Sequence, residues 1–286
     1  MVNLMTYGSN IKGYTLEKVV YTSKPDGPGE YPQTIVWKAV KDGKIFAIKS
    51  VDSKRIWKRE SKWLNEVRGH PNIVTFEERF SYNGDYILVE SFVGDRDLPL
   101  YLYEKYNAHS MSLVSFLSYL VDVTKGLEQS HKEGVVHLDL RPVNIRVEDS
   151  GSACIIDFGL SQRDGWPVFT SFLSDSVVVY WPPEAIKTFV RAKPAIDLYC
   201  LASIIDFTVG SCIKFGKTFT EAYGEGDSSL KDLGKTLNEF LLIAKSEMLD
   251  KRPQSAREYQ HRIEDLIGGP NIKRLDEHLH ELKNGL

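Results

Sequence analysis

Cysteine is scarce: Cys154, Cys200 and Cys212 are the only three in 286 residues, their number is odd, and no CxxC pair occurs. That argues against a disulfide-stapled or cysteine-ligated metal domain and points to buried free thiols in a reducing compartment. An excess of one charge sign is also lacking. Thirty-six Lys and Arg against 39 Asp and Glu leave a formal charge of −3. This gives no electrostatic basis for binding nucleic acid or inserting beside an anionic membrane. Long hydrophobic runs are missing too. The longest, LYCLASIIDF at 198–207, is shorter than a membrane span and carries Asp206. The opening MVNLMTYGSNIKGYT has no apolar signal core. Repeats and low-complexity tracts are absent. The expectation is a soluble intracellular chain, cytoplasmic or nuclear, long enough to bury a core without staples.

What is present changes character along the chain. TIVWKAV (34–40) and KIFAIKSV (44–51) are β-branched and aromatic runs joined by KDG, which predicts a hairpin. Residues 52–68 switch to helical spacing, with Ile56, Trp63, Leu64 and Val67 able to share a face. GHPN stops that helix. TFEERF and DYILVESF then read as strands around the turn SYNGD. From 111 to 134 a long helix ends at Gly134. NIRVE (144–148) and ACIID (153–157) read as short strands, and beyond 185 the segments are mostly helical. The tail 273–286 reads as an amphipathic helix packed on the larger part, with Leu275, Leu279 and Leu282 on one side and His278 and His280 exposed.

The strongest signal is HLDLRPVN (137–144) followed by IIDFG (155–159) and then PPE (182–184). In this order the segments resemble the eukaryotic protein kinases, whose signature is H-R-D-L-x-x-x-N, D-F-G and A-P-E. The resemblance extends over roughly 14–266. It implies an α+β, two-lobed fold forming one kinase domain: a small β-rich N-lobe with one main helix (1–92) and a larger, mostly helical C-lobe (93–286). It also implies ATP and Mg²⁺ as cofactors and a protein hydroxyl as acceptor, and it leaves room for a regulatory partner. By the same resemblance Asp139 is the catalytic base, and Asn144 and Asp157 hold Mg²⁺. Arg141 keeps a cation near the transferred phosphoryl group. Lys49, in FAIK (46–49), holds the phosphates. Its expected partner is Glu60, ten residues before His70 of HPN, rather than Glu66. Leu64 should stack toward Phe158 and His137, ahead of Gly159. Glu184 should pair with Arg252, and Asp197 should brace the catalytic-loop backbone. Adenine is expected between Val36 and Ala47 above and Arg146 below. Val89 is read as the residue guarding the back of the pocket, with Glu90, Ser91 and Phe92 forming the hinge.

Four positions depart from the family pattern. Aligning the glycine-rich loop on residues 29–34 keeps only Gly29, which weakens a backbone cradle for phosphates, and an alternative register uses GPG (27–29) as the flexible tip. Leu138 replaces the arginine that receives an activation-segment phosphate, so activity should not depend on phosphorylation at Thr170, Ser171 or Ser174. Arg146 stands where an apolar residue is usual, although its stem can still cover a ring. Val177 replaces a threonine common in serine/threonine kinases. Arg141-Pro142 nonetheless follows the serine/threonine pattern more closely than the tyrosine one. The leading reading is an ATP-dependent protein kinase acting on Ser/Thr. The alternative is a pseudokinase scaffold with weak or no catalysis.

Overall fold

Two β-hairpins with left-handed turns organise the first ninety residues of the computed structural model. It describes residues 6–284 apart from 24–33, 109, 111, 149, 169–177, 187–189 and 214–215. Strands β1 (Asn10–Ile11), β2 (Tyr14–Thr22), β3 (Thr34–Lys41), β4 (Lys44–Val51), β5 (Phe76–Tyr82) and β6 (Asp85–Ser91) form one antiparallel sheet in the order β1-β2-β3-β4-β6-β5. Asp42-Gly43 turns β3 into β4 with φ of 51° and 74°, and Asn83-Gly84 turns β5 into β6 with 51° and 94°. Two-residue turns with positive φ match the twist of the strands they join, and Asn, Asp and Gly tolerate that conformation best. Strand β2 was not singled out from the sequence. Its YTLEKVVYT alternates only weakly, and much of it is exposed.

Helix α1 (Lys54–Glu66) follows β4. Ser53 caps it by accepting from the Ile56 N–H, and Glu60, Ser61, Trp63 and Leu64 are its buried residues. Two apolar clusters result. Leu16, Trp37, Ile48, Ile87 and Val89 lie in the sheet's own core. Trp63 and Leu64 of α1, and Val67 just after it, instead join the larger core that continues into the second half of the chain. Beyond β6 the backbone enters β7 (Arg96–Asp97), which pairs with a strand of that second half.

The second half is mostly helical. Its elements are α2 (Leu98–Asn107), α3 (Leu113–Lys132), β8 (Val135–Val136), β9 (Ile145–Val147), β10 (Ala153–Ile155), β11 (Gln162–Arg163), α4 (Pro194–Ile213), α5 (Phe219–Glu225), α6 (Ser228–Leu233), α7 (Lys235–Ala244), α8 (Ala256–Gly268) and α9 (Pro270–Asn284). Helix α4 is long and apolar enough to cross a membrane by length and composition, which the shorter run seen in the sequence did not suggest. Most of it is buried inside the protein. Its two aspartates are partnered there, Asp206 by Lys245 Nζ at 2.6 Å and the Thr220 N–H at 2.9 Å. Those contacts mark a core helix, since a span would face lipid. Helix α9 buries Ile272, Leu275 and Leu279 against α3, α4 and α6. His278 and His280 are half-buried there rather than exposed, because they flank the buried Leu279.

The linker after α1 is stitched to β10. Val74 N–H donates to the Ile155 carbonyl (3.0 Å), Ile155 N–H to the Asn72 carbonyl (2.9 Å), and Asn72 Nδ2 to the Ala153 carbonyl (2.8 Å). Gly126 of α3 lies so close that a Cβ there would sit 2.8 Å from the Asn72 carbonyl oxygen. These bonds set the position of β10, and so of the residues that follow it at 156–159, relative to α1.

Candidate functional site

A cavity of about 320 Å³ opens where the sheet meets the helical half. Val36 and Ala47 line it from β3 and β4. Lys49, Glu90, Ser91, Phe92, Arg141, Asn144, Arg146 and Asp157 line it as well. Most of the residues picked out in the sequence therefore converge on one cleft.

Lys49 is the hub of its inner end. Its buried ammonium donates to Glu60 Oε1 at 2.6 Å and to Asp157 Oδ1 at 3.1 Å. Burial alone would lower its pKa, but Asp157, Glu60 and Glu90 outweigh it and hold the ammonium above the ordinary lysine value. Burial pushes Glu60 upward against the pull of Lys49, with Asp157 and Glu90 adding to the rise. Asp157 goes the other way. Burial opposes its charge, yet Lys49 and the Gly159 N–H hold its carboxyl down to about 2. Its φ is 63°, in the left-handed region.

The catalytic-loop segment is held from several sides. Asp197 of α4 is fully buried, and its carboxylate accepts from the backbone N–H of His137 (2.8 Å) and of Leu138 (2.9 Å). Its third contact is His131 Nε2 at 2.8 Å. His131 was not picked out in the sequence; only its place six residues before His137 near the end of the long helix hinted at it. Asp197 is thus a bracket across two segments rather than a simple helix cap. The bracket holds Leu138 at φ 66°, a costly conformation for a bulky residue. Its carbonyl accepts from Trp181 Nε1 at 3.1 Å, and the leucine side chain is buried in the core. His137 lies between the Asp139 N–H, 3.2 Å from its Nδ1, and the Ile156 carbonyl, 3.1 Å from its Nε2. The ring is therefore assigned as the neutral Nε2–H tautomer. It meets Phe158 edge-on at 4.7 Å, and Leu64 lies in the same core cluster.

Asp139, 5 % exposed, faces Arg141, whose Nε lies 3.1 Å from Asp139 Oδ1. Burial raises its pKa to about 7, and Arg141 and the Asn144 hydrogen bond only partly offset it. Asn144 Nδ2 donates to both the carbonyl and Oδ2 of Asp139, each at 2.8 Å. This spends the amide N–H groups and leaves the amide oxygen as the atom able to face a cation. No group of three or more His, Cys, Asp and Glu is placed to hold a metal by itself among the described residues. Two hard oxygen donors, Asn144 and Asp157, fit Mg²⁺, which keeps waters and takes further ligands from substrate phosphates. Farther out, Glu184 and Arg252 form a two-pronged pair at 2.6 and 3.1 Å.

Val89 does not face the cleft. Ile48 pairs with Val89 and Ala47 with Glu90, and side chains alternate along a strand. Val89 therefore packs in the sheet core, while Glu90 shares the cavity side with Ala47. The expected hinge residues Glu90, Ser91 and Phe92 all line the cavity, and Val93 and Gly94 line it beyond them. Gly29, Val177, Thr170, Ser171 and Ser174 lie outside the described residues.

Sequence reasoning also missed Asp97 and Arg163. Asp97 lines the cavity, caps α2 through the Leu100 N–H (2.9 Å), and pairs in register with Arg146, whose half-buried charge it supports. Arg163, just after the 157–159 segment, forms an ion pair with Glu66 of α1. It also donates to the Glu133 carbonyl (2.7 Å) and lies 5.2 Å from the Trp63 ring centre. Glu66, six residues after Glu60 and so on another face of α1, pairs with Arg163 and not with Lys49.

Comparison with known proteins agrees with this geometry. The family model described as "Protein kinase domain" matches residues 23–269. Cell division control protein 2 homolog 3 of Trypanosoma brucei brucei is 30% identical over 62% of this chain and 58% of its own length. Cyclin-dependent kinase 17 of Caenorhabditis elegans is 28% identical over 69% of this chain and 30% of its own. Serine/threonine-protein kinase crk1 of Schizosaccharomyces pombe is 28% identical over 51% and 42%. The chain thus spans less than two thirds of the length of each of these relatives. With the family model matching most of the chain and its signature residues gathered around one cleft, the chain belongs to the protein kinase domain family.

Proposed function

We propose that this chain transfers the γ-phosphate of ATP to serine or threonine hydroxyls of a protein substrate. The observation that carries the reading is the convergence on one cleft of the Lys49–Glu60–Asp157 cluster and the Asp139–Asn144 pair. Asp139 accepts the proton of the acceptor hydroxyl as the hydroxyl oxygen bonds to the γ-phosphorus and the bond to the departing nucleoside diphosphate breaks. Arg141 meets the charge on the transferred group. Lys49, held by Glu60, orients the phosphates. Bound Mg²⁺, held by Asn144 and Asp157, would neutralise phosphate charge. The test is transfer from radiolabelled Mg-ATP to a generic acceptor protein, with Asp139→Asn beside the parent and phosphoamino-acid analysis of the product. Transfer by both proteins, or by neither, would overturn this reading.

The Asp139 carboxyl, raised to about 7, predicts the pH profile. A base works only when ionised, so kcat/KM should climb as pH rises through that value and level off above it. A flat profile across the neutral range would remove Asp139 from the role.

A second prediction concerns regulation. With Leu138 buried in the core, no arginine stands there to receive a phosphate. Arg163 ties α1 to the segment after residue 159 instead. Alanine at Thr170, Ser171 and Ser174 together should leave transfer unchanged, whereas Arg163→Ala should lower it. An inactive triple variant would refute this.

The scaffold reading retains one specific support: a buried carboxylate, Glu90, and a guanidinium, Arg146, both line the cavity where an apolar purine site is expected. Thermal shift with ATP tests that support: no binding favours the scaffold, whereas binding leaves the choice to the transfer assay above.

A further inference from the structure

The inner wall of the cleft carries a group that the proposed reaction does not use. Glu90 is 6 % exposed, and its Oε1 is fully buried with no hydrogen-bond partner among the described residues. The nearby ammonium, Lys49, is already engaged by Glu60 and Asp157. A buried acceptor that lacks a donor at the wall of a cavity is matched by a ligand that brings one. The register says which part of the ligand that is. Glu90 stands directly across from Ala47 on the same face of the sheet, so a flat ring lying beneath Ala47 presents its in-plane edge to the Glu90 carboxylate.

Resting on the nucleotide-binding reading above, we propose that Glu90 is a specificity-determining residue that accepts a hydrogen bond from the exocyclic amino group of the purine. It thereby selects 6-aminopurine nucleotides over those with a carbonyl or a hydrogen at that carbon. A 6-oxopurine would set its carbonyl oxygen against the carboxylate, acceptor facing acceptor. Purine itself leaves the carboxylate without a donor. Glu90 shares its surroundings with Lys49, Glu60 and Asp157. Burial raises its carboxyl to about 7, so the measurement belongs at about pH 8.5, where the acceptor form dominates.

The experiment is calorimetric titration of the full chain with ATP and with purine riboside 5′-triphosphate, which lacks only the amino group. Both are repeated on Glu90→Met and Glu90→Gln. The parent should prefer ATP, and Glu90→Met should shrink that preference by about tenfold or more, the loss expected when a hydrogen bond to a charged group disappears. Glu90→Gln, which keeps a carbonyl acceptor, should fall between. An ATP-to-analogue ratio that is the same in the parent and Glu90→Met overturns the proposal. Should Glu90→Met fail to fold, equal affinity of the parent for the two nucleotides overturns it just as directly. Binding of neither nucleotide by the parent overturns the nucleotide reading itself, a result distinct from equal binding of both.

Discussion

Asparagine in place of Asp139 is expected to cut phosphoryl transfer by about a thousandfold, the middle of the range for losing a positioned general base. The melting temperature should stay the same or rise slightly. The chemical loss follows from geometry: Asp139 is the carboxylate set between Arg141 and Asn144, two residues that line the cavity. An amide cannot take the proton. The structural gain follows from burial, because a neutral amide removes a charge that the site holds at a cost, as the raised pKa records. The amide oxygen can still accept from Asn144 Nδ2, so the loop should keep its shape. Single-turnover transfer and thermal melting of the variant check both halves. Undiminished transfer would mean that the base is elsewhere, and a large fall in melting temperature would mean that the ionised carboxylate is structural.

Alanine in place of Asp197 is the largest stability effect expected, about 3–5 kcal/mol. One carboxylate accepts three hydrogen bonds there, from two backbone amides and His131. Removing it strands two buried N–H groups, each costing about 1–3 kcal/mol when unpaired. It also releases Leu138 from the left-handed conformation that the bracket enforces. For a chain of this size the melting temperature should drop by on the order of 10 °C. Activity should fall further than stability explains, since Asp139 directly follows the released residue. Asp197→Asn offers one acceptor oxygen in place of two and should lie between. Denaturant unfolding with transfer assayed well below the melting point tests this. An Asp197→Ala variant with parental stability would show that the backbone holds the loop unaided.

What could be read directly from the sequence was local. The Asp42-Gly43 and Asn83-Gly84 turns are specified by residues that tolerate positive φ, and their hairpins appear where expected. Helix α1 starts one residue after its Ser53 cap and spans the stretch with helical spacing. The ordered segments at 137–144, 155–159 and 182–184 identified the family, and the resemblance then assigned Lys49 to Glu60, Glu184 to Arg252 and Asp197 to the catalytic-loop backbone.

Other features exist only once the chain is folded. A strand alternates its side chains with period two, so a one-residue error in reading DYILVESF exchanges the two faces. Only the pairing of β4 with β6 showed that Val89 enters the core and Glu90 enters the cleft. The third contact of Asp197 needed His131 on a helix 66 residues away, and Glu66 found Arg163 across 97. The pKa values were no more legible. Asp139 and Asp157 are the same residue type in neighbouring motifs, yet one is raised to about 7 and the other lowered to about 2. Sequence alone determined which chemical groups this protein has available and which family it belongs to. Tertiary structure decided which face each group presents and which charge it carries, because burial and distance between remote residues set both.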